Sequence, residues 1–342
     1  MPLWDLDPEQ LVHYAPEVAE PEDFDTFWAA TLAEARTYDL GLRLEPVDAG
    51  LALVDVFDVT FAGFGGHPVR GWLTRPRAAQ GPLPAVLSCN GYGGGRGLAT
   101  DHLGWAVAGY AELFLDTRGQ GSGWGHGGDT PDPVGSGPAT PGFMTRGITD
   151  PREHYYRRLF TDAVRGFDAL RAVDGIDPSR IAVAGGSQGG GMALAVAGLV
   201  PEVAAVMPDV PFLCHIRRSV EITAADPYGE VSRYLAVHRG QAETAFRTLS
   251  YIDAVNHARR ATAPARFSVA LMDNICPPST VYTAFNRYGE RAGRPIDKSI
   301  DVWPYNGHEG GQGHQWTRQL PWLAGRLRQE ETATSGAAPS AG

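Results

Sequence analysis

The spacing of apolar and polar residues changes character three times along the chain. Residues 1–45 are polar and aromatic, and EDFDTFWAATLAEA (22–35) spaces its apolar side chains at helical intervals behind an acidic start. From residue 51 the period shortens. LALVDVFDVTF (51–61) and VRGWLTRP (69–76) read as antiparallel strands, PAVLSCN (84–90) as a buried strand and AELFLDTRG (111–119) as the next, with a short helix at 100–109 between the last two. A glycine- and proline-rich loop (119–142) precedes a long amphipathic helix over 153–173, a strand at 181–184, an alanine-rich helix at 190–199 and a strand at 203–210. Residues 211–262 break the alternation, being polar and helix-prone without a clear strand. It resumes with a strand at 265–273, a helix near 278–290, a strand with its loop at 299–308 and a helix over 314–329. The stretch 329–342 has a linker-like composition and is expected to be disordered.

Strands alternating with helices predict an α/β fold with a mainly parallel central sheet covered on both faces. One domain is expected over 1–328, with 1–45 as an N-terminal helical extension and 211–262 as a helical insertion above the C-terminal edge of the sheet, roofing an active site. The 342 residues are 43% hydrophobic, enough for a sizeable core. A formal net charge of -10 with no basic cluster argues against nucleic acid and anionic membrane as partners. Cys89, Cys214 and Cys276 are odd in number and lack metal-type spacing, and the opening MPLWDLDPEQ lacks the basic and apolar regions of a signal peptide. A reducing cytoplasm is the expected location.

Composition also raises a question that spacing resolves. RIAVAGGSQGGGMALAVAGLV (180–200) has the length of a membrane span, yet it crowds five glycines between Gly185 and Gly191. Split at Ser187, it becomes a strand, a sharp turn and a helix, and Gly185-Gly186-Ser187-Gln188-Gly189 fits the G-x-S-x-G nucleophile elbow. A glycine-rich turn with a solvent-facing serine would satisfy the same pattern.

A nucleophilic serine needs a base and an acid, which in this arrangement follow it in the order serine, acid, histidine. His308 sits in the glycine-flanked loop YNGHEGG directly after a predicted strand, whereas His215, His238 and His257 fall in the insertion and His314 starts a helix. Asp273 ends the strand VALMD and is the candidate acid; Asp209, at the end of the preceding strand, is the alternative, and Asp301 lies inside a strand. Attack on a carbonyl also requires backbone N–H groups aimed at the oxyanion. Gln188 supplies one, and Tyr92 in NGYGGGRG (90–97) is the expected second. Those glycines miss the G-x-G-x-x-G spacing of a nucleotide loop, and HEGGQ lacks the second histidine of H-E-x-x-H. No metal or cofactor is implied, and Cys276 is expected to be a small buried side chain rather than a nucleophile.

The motifs RGQG (118–121), GGSQGG (185–190), LMDNICPPST (271–280) and the pair His308-Glu309 resemble those of the acetyl xylan esterases and cephalosporin C deacetylases, carbohydrate esterase family seven of the α/β-hydrolase superfamily. The likeness covers 1–328, including DFDTFW and GFMTRGITDPREHYYRRLFTDAVR. It implies a triad of Ser187, Asp273 and His308, oxyanion donors Tyr92 and Gln188, and signature positions at Arg118, Gln120 and Glu309. These three are expected to scaffold the loops beside the triad, the Arg118 guanidinium tying several loop carbonyls together. It also implies a cytoplasmic ring-shaped homohexamer acting on small acetylated substrates such as xylo-oligosaccharides and cephalosporin C. Asn90 departs from the histidine that commonly precedes Gly-Tyr in the family, which bears on the polarity of the oxyanion-loop approach. A broad carboxylesterase or peptidase of the same fold, and a non-catalytic binding protein, are the rival readings.

Overall fold

Nine strands form one sheet: β1 (Arg43–Val47), β2 (Val54–Ala62), β3 (Pro68–Pro76), β4 (Leu83–Cys89), β5 (Ala111–Leu115), β6 (Ile176–Gly186), β7 (Ala205–Asp209), β8 (Ala265–Ala270) and β9 (Lys298–Trp303). The computed structural model describes residues 3–327 apart from 136 and 138, so the predicted disorder at 329–342 lies outside the described residues. The order is β1-β2-β3-β5-β4-β6-β7-β8-β9. The pairs β1/β2, β2/β3 and β3/β5 are antiparallel, and every pair from β5 through β4 to β9 is parallel. The fold is therefore the expected α/β one with a mainly parallel sheet.

Burial explains which strands the pattern exposes. β5 is buried at all five positions and β4 at its last five, as strands covered on both faces must be. β2 changes face midway: Val59 and Phe61 join the main core, whereas Val54 and Val56 pack with Ala106 in a smaller cluster on the other side. Nothing in the pattern predicts β1, because 1–45 reads as a polar extension. It is an edge strand, exposed at three of its five positions and carrying Pro46, so no alternating apolar signal marks it.

One face of the sheet is covered by the helices Phe24–Ala35, Tyr155–Arg171, Gln188–Leu199 and Pro278–Arg287. On the other face Val86, Ala182, Ala205 and Met207 pack against Trp105 of Gly104–Val107 and Leu323 of Gln312–Leu327. Between β7 and β8 lie the helices Ile216–Ile222, Tyr228–Val237, Ala242–Ser250 and Ala254–Ala258. The last of these does not roof anything: it packs against Gln188–Leu199, where a Cβ on Gly198 would collide with the His257 carbonyl. Among the described residues of the insertion, Asp226 and Pro227 line the cavity, while Phe212 and Glu230 bond to the residues that frame it.

Candidate active site

β6 runs to Gly186, five residues earlier in origin and two residues longer at its end than the predicted 181–184, and the following helix begins at Gln188 rather than 190. Only Ser187 separates the two, at φ 55° and ψ −119°. Such a conformation costs on the order of 1–3 kcal/mol unless its surroundings fix it. Here they do. Ser187 N donates to the Asp209 carbonyl at 2.9 Å, while Gly191 N and Phe212 N donate to the Ser187 carbonyl at 3.1 and 2.9 Å. A Cβ on Gly185 would meet the Gly189 backbone and one on Gly189 would meet the Cys89 carbonyl, so two of the elbow glycines are demanded by close approach.

His308, in the loop after β9, places Nε2 2.9 Å from Ser187 Oγ and Nδ1 2.8 Å from Asp273 Oδ2. Asp273 lies in the loop after β8 and is 1% exposed. Its other oxygen accepts Ile275 N at 2.8 Å and Cys276 N at 2.9 Å, two donors that fix the carboxylate's orientation. The serine, imidazole and carboxylate selected from chain order are thus brought into one hydrogen-bonded line. Asp209 stands elsewhere: Gln319 Nε2 donates to both its oxygens, at 3.0 and 2.9 Å, and burial pushes its carboxyl up to about 7. Cys276 is buried, and desolvation holds its thiol well above the ordinary value, which keeps the nucleophilic thiolate scarce.

Tyr92, in the loop after β4, and Gln188, at the start of its helix, flank the serine. Among the described residues neither backbone N–H donates to another protein group, so both are free for an oxyanion. Gln120 joins their supports. Its Oε1 accepts Gly93 N at 2.6 Å, and its Nε2 lies 2.9 Å from both the Gln188 Oε1 and the Tyr155 hydroxyl oxygen. Gln188 Oε1 also accepts the Tyr156 hydroxyl at 3.0 Å. Asn90 turns back into its own loop, accepting Gly91 N through Oδ1 at 2.8 Å and donating through Nδ2 to the Gly95 carbonyl at 2.7 Å. It shapes the oxyanion loop and leaves the approach to Tyr92 N alone.

Arg118 departs from expectation. Among the described residues the guanidinium ties no loop carbonyls; it pairs with buried carboxylates, Asp162 at 2.5 and 2.6 Å and Asp132 at 3.3 Å. Arg158 completes the cluster on Asp132 at 2.7 Å. The link to the site is the Arg118 carbonyl, which accepts the Tyr155 hydroxyl at 2.6 Å. Carboxylates match the fork of a guanidinium better than carbonyls do, and two of them balance two buried cations. Glu309 is exposed at the rim, where the Asn306 amide, 2.9 Å away, holds its carboxyl below the ordinary value.

Several contributors were not legible. The Tyr92 hydroxyl donates to Glu230 Oε1 at 2.6 Å and accepts Phe143 N at 2.6 Å, and Met144 N donates to Glu230 Oε2 at 3.0 Å. These bonds tie the oxyanion loop to the helix Tyr228–Val237, and nothing in sequence pairs residues so far apart. Trp124 did carry a signal, a lone tryptophan among glycines. Its Nε1 donates to the Tyr92 carbonyl at 2.7 Å, and its ring borders the cavity. That cavity, about 530 Å3, opens onto Ser187 and His308.

A strained serine, an imidazole and a carboxylate in line, beside two unsatisfied backbone donors, form the equipment of an acyl-transfer site. Comparison with known proteins agrees in kind. The acetyl xylan esterase (AXE1) family model matches residues 1–326. An acetyl xylan esterase from Paenibacillus sp. R4 superposes with a TM-score of 0.88 at 37% identity, covering 94% of this chain and all of that one. The acetyl xylan esterase 1 from Thermoanaerobacterium sp. JW/SL YS485 gives 0.84 at 31% identity, over 94% of this chain and 99% of that one. Acetyl esterase Axe7A of Xylanibacter ruminicola is 29% identical over 92% of this chain and 69% of its own length. Acylaminoacyl peptidase from Pyrococcus horikoshii, at 15% identity and a TM-score of 0.59, shares the α/β-hydrolase fold alone. Matched from one end of the described sheet to the other, the chain is a carboxylic ester hydrolase and belongs to the acetyl xylan esterase family.

Proposed function

We propose that the protein removes acetyl groups from small esters, acetylated xylo-oligosaccharides first among them, through a covalent acetyl-enzyme. Ser187 Oγ attacks the acetyl carbonyl as its proton passes to His308 Nε2, and the oxyanion is met by Tyr92 N–H and Gln188 N–H. Collapse of the tetrahedral adduct breaks the bond to the alcohol, which leaves with the proton from His308. Water then attacks the acetyl-serine, giving its proton to His308, and acetate departs as the proton returns to Ser187. Asp273 holds the imidazole in the tautomer that presents Nε2 to the serine. The observation that carries this reading is the pair of hydrogen bonds, 2.9 and 2.8 Å, that run from Ser187 through His308 to Asp273.

A cytoplasmic homohexamer with its sites facing an inner chamber is the assembly we propose, on the resemblance of the motifs to family seven. Among the described residues no helix is long and apolar enough to cross a membrane. Analytical ultracentrifugation should give about six times the chain mass of 36.6 kDa. The function is tested by initial rates on p-nitrophenyl esters of rising acyl length for wild type and Ser187→Ala. Serine-dependent rates that collapse beyond a propionyl chain support the deacetylase. Flat or rising rates would mark a general carboxylesterase, and the absence of any serine-dependent rate would favour a binding protein.

A further inference from the structure

The reaction uses only part of the cavity. An acetyl group fills on the order of 90 Å3, at about 30 Å3 per heavy atom as in liquid water. The cavity holds about 530 Å3, so most of it is room for the alcohol. The leaving oxygen must take its proton from His308, so the alcohol lies toward the His308 loop and the helix Gln312–Leu327 that follows it. That helix supplies Gln319, the partner of Asp209, and Asp209 and Ser268 both line the cavity.

Asp209 is a carboxylate that the proposed chemistry leaves idle, and it is short of donors. A carboxylate has about four lone-pair sites. Here one amide nitrogen, Gln319 Nε2, is stretched across both oxygens at 3.0 and 2.9 Å, and Ser268 is the other hydrogen-bonding side chain beside it. Burial pushes the carboxyl up to about 7, and the hydrogen bonds from Gln319 and Ser268 offset only part of that. Among the described residues lining the cavity there is no arginine or lysine, while Asp226 and Glu309 add further carboxylates. The Arg233 guanidinium is already paired with Asp226 at 2.7 Å, so an anionic alcohol finds no cation on the cavity wall.

Trp124 contributes a different surface. The indole rests on the oxyanion loop, where a Cβ on Gly94 would collide with its six-membered ring, and its N–H is bonded to the Tyr92 carbonyl. Anchored in this way, it is still 54% exposed at the mouth of the cavity. Flat apolar surface fixed beside a polar acceptor suits a ring with apolar C–H faces and hydroxyl edges.

We infer that Asp209 and Trp124 form the leaving-group subsite, selective for an uncharged polyhydroxylated ring, with Asp209 accepting its hydroxyls and Trp124 stacking on its C–H face. This inference rests on the deacetylase reading. It ranks acetylated xylose units above cephalosporin C, whose leaving alcohol carries a carboxylate.

The test compares kcat/KM for acetylated xylobiose, cephalosporin C and ethyl acetate, the last having neither ring nor further hydroxyl. Wild type should prefer acetylated xylobiose to cephalosporin C at least tenfold. The ratio of xylobiose ester to ethyl acetate should fall at least tenfold in Asp209→Asn and in Trp124→Ala, and should recover toward wild type in Trp124→Phe, which keeps a ring without the N–H. Stoichiometric labelling by a fluorophosphonate certifies that each variant is folded. Ratios within twofold of wild type in both Asp209→Asn and Trp124→Ala, or a preference for cephalosporin C, would overturn the inference. Calorimetry of xylobiose binding to Ser187→Ala separates it from the parent reading. If no ester is cleaved yet xylobiose binds and Asp209→Asn weakens that binding at least fivefold, the subsite stands and the deacetylase falls. If esters are cleaved and xylobiose binding is insensitive to Asp209, the subsite falls alone.

Discussion

Two aspartates stand at the C-terminal edge of neighbouring strands, Asp209 at the end of β7 and Asp273 just beyond β8, and their surroundings treat them oppositely. Asp273 receives two backbone N–H groups on one oxygen and the imidazole on the other, so donors built into the protein meet both oxygens. Asp209 receives no backbone N–H among the described residues, only the Gln319 amide shared between both oxygens and the Ser268 hydroxyl, and is held up to about 7 by burial. Position along the chain made both of them candidate acids; the donors around them distinguish the roles. A carboxylate that must stay charged to steady an imidazolium needs donors built into the loop backbone. One that meets a changing ligand can be left under-supplied, with the ligand's hydroxyls completing the set.

The sharpest way to break this comparison is to neutralise each in turn. Asp273→Asn should lower kcat on ethyl acetate by roughly 10^4, with a far smaller change in KM, because the amide favours the wrong tautomer of His308. Asp209→Asn should lower it by less than tenfold. Steady-state kinetics on both variants checks the pair, and the reverse ranking would move the acid to Asp209.

How far the sequence foretold this site follows from what each feature depends on. Chain order and strand ends depend on local periodicity, so the sequence alone singles out Ser187, Asp273 and His308. The elbow's outline is legible, but its helix starts two residues before the sequence pattern suggests. Glycines read as helix breakers, whereas Gly189 sits in the first turn because the chain after β4 passes against it. The partners of Arg118 are Asp132, in the irregular loop that follows it, and Asp162, in the helix beyond, and no spacing rule connects them. The same holds for Tyr92 and Glu230, 138 residues apart. β1 escaped for a different reason: an exposed edge strand buries too little to leave a pattern.

The contrast also has a thermodynamic side. Asp209 has an ordinary value of 3.8 and a folded one of about 7. A group whose pKa is raised by folding contributes stability that is fully present below its unfolded pKa and is lost as the pH rises through its folded one. Between about pH 4 and 7, Asp209 should therefore erode stability by up to about 4 kcal/mol, at 1.36 kcal/mol per unit and less where water reaches it. Asp209→Asn removes that erosion. Urea unfolding at pH 5 and pH 8 should show the variant gaining on wild type at the higher pH. An equal offset at both would mean that burial does not disfavour the Asp209 charge, and the comparison would lose its basis.

The smallest effect is the most specific to the cradle. Gln319→Leu deletes the amide shared by the two Asp209 oxygens and leaves Asp273 and its donors untouched. A buried acceptor stripped of its donor costs about 1–3 kcal/mol, and more when it is charged. The loss should therefore be larger at pH 8, where Asp209 is ionised, than at pH 5, where the carboxyl is protonated. In the Asp209→Asn background the same substitution should lose its pH dependence, since no charge remains to be stranded. A double-mutant cycle at the two pH values measures this coupling directly, and a coupling equal at both would mean that Gln319 supports the packing of its helix against β7 rather than the carboxylate.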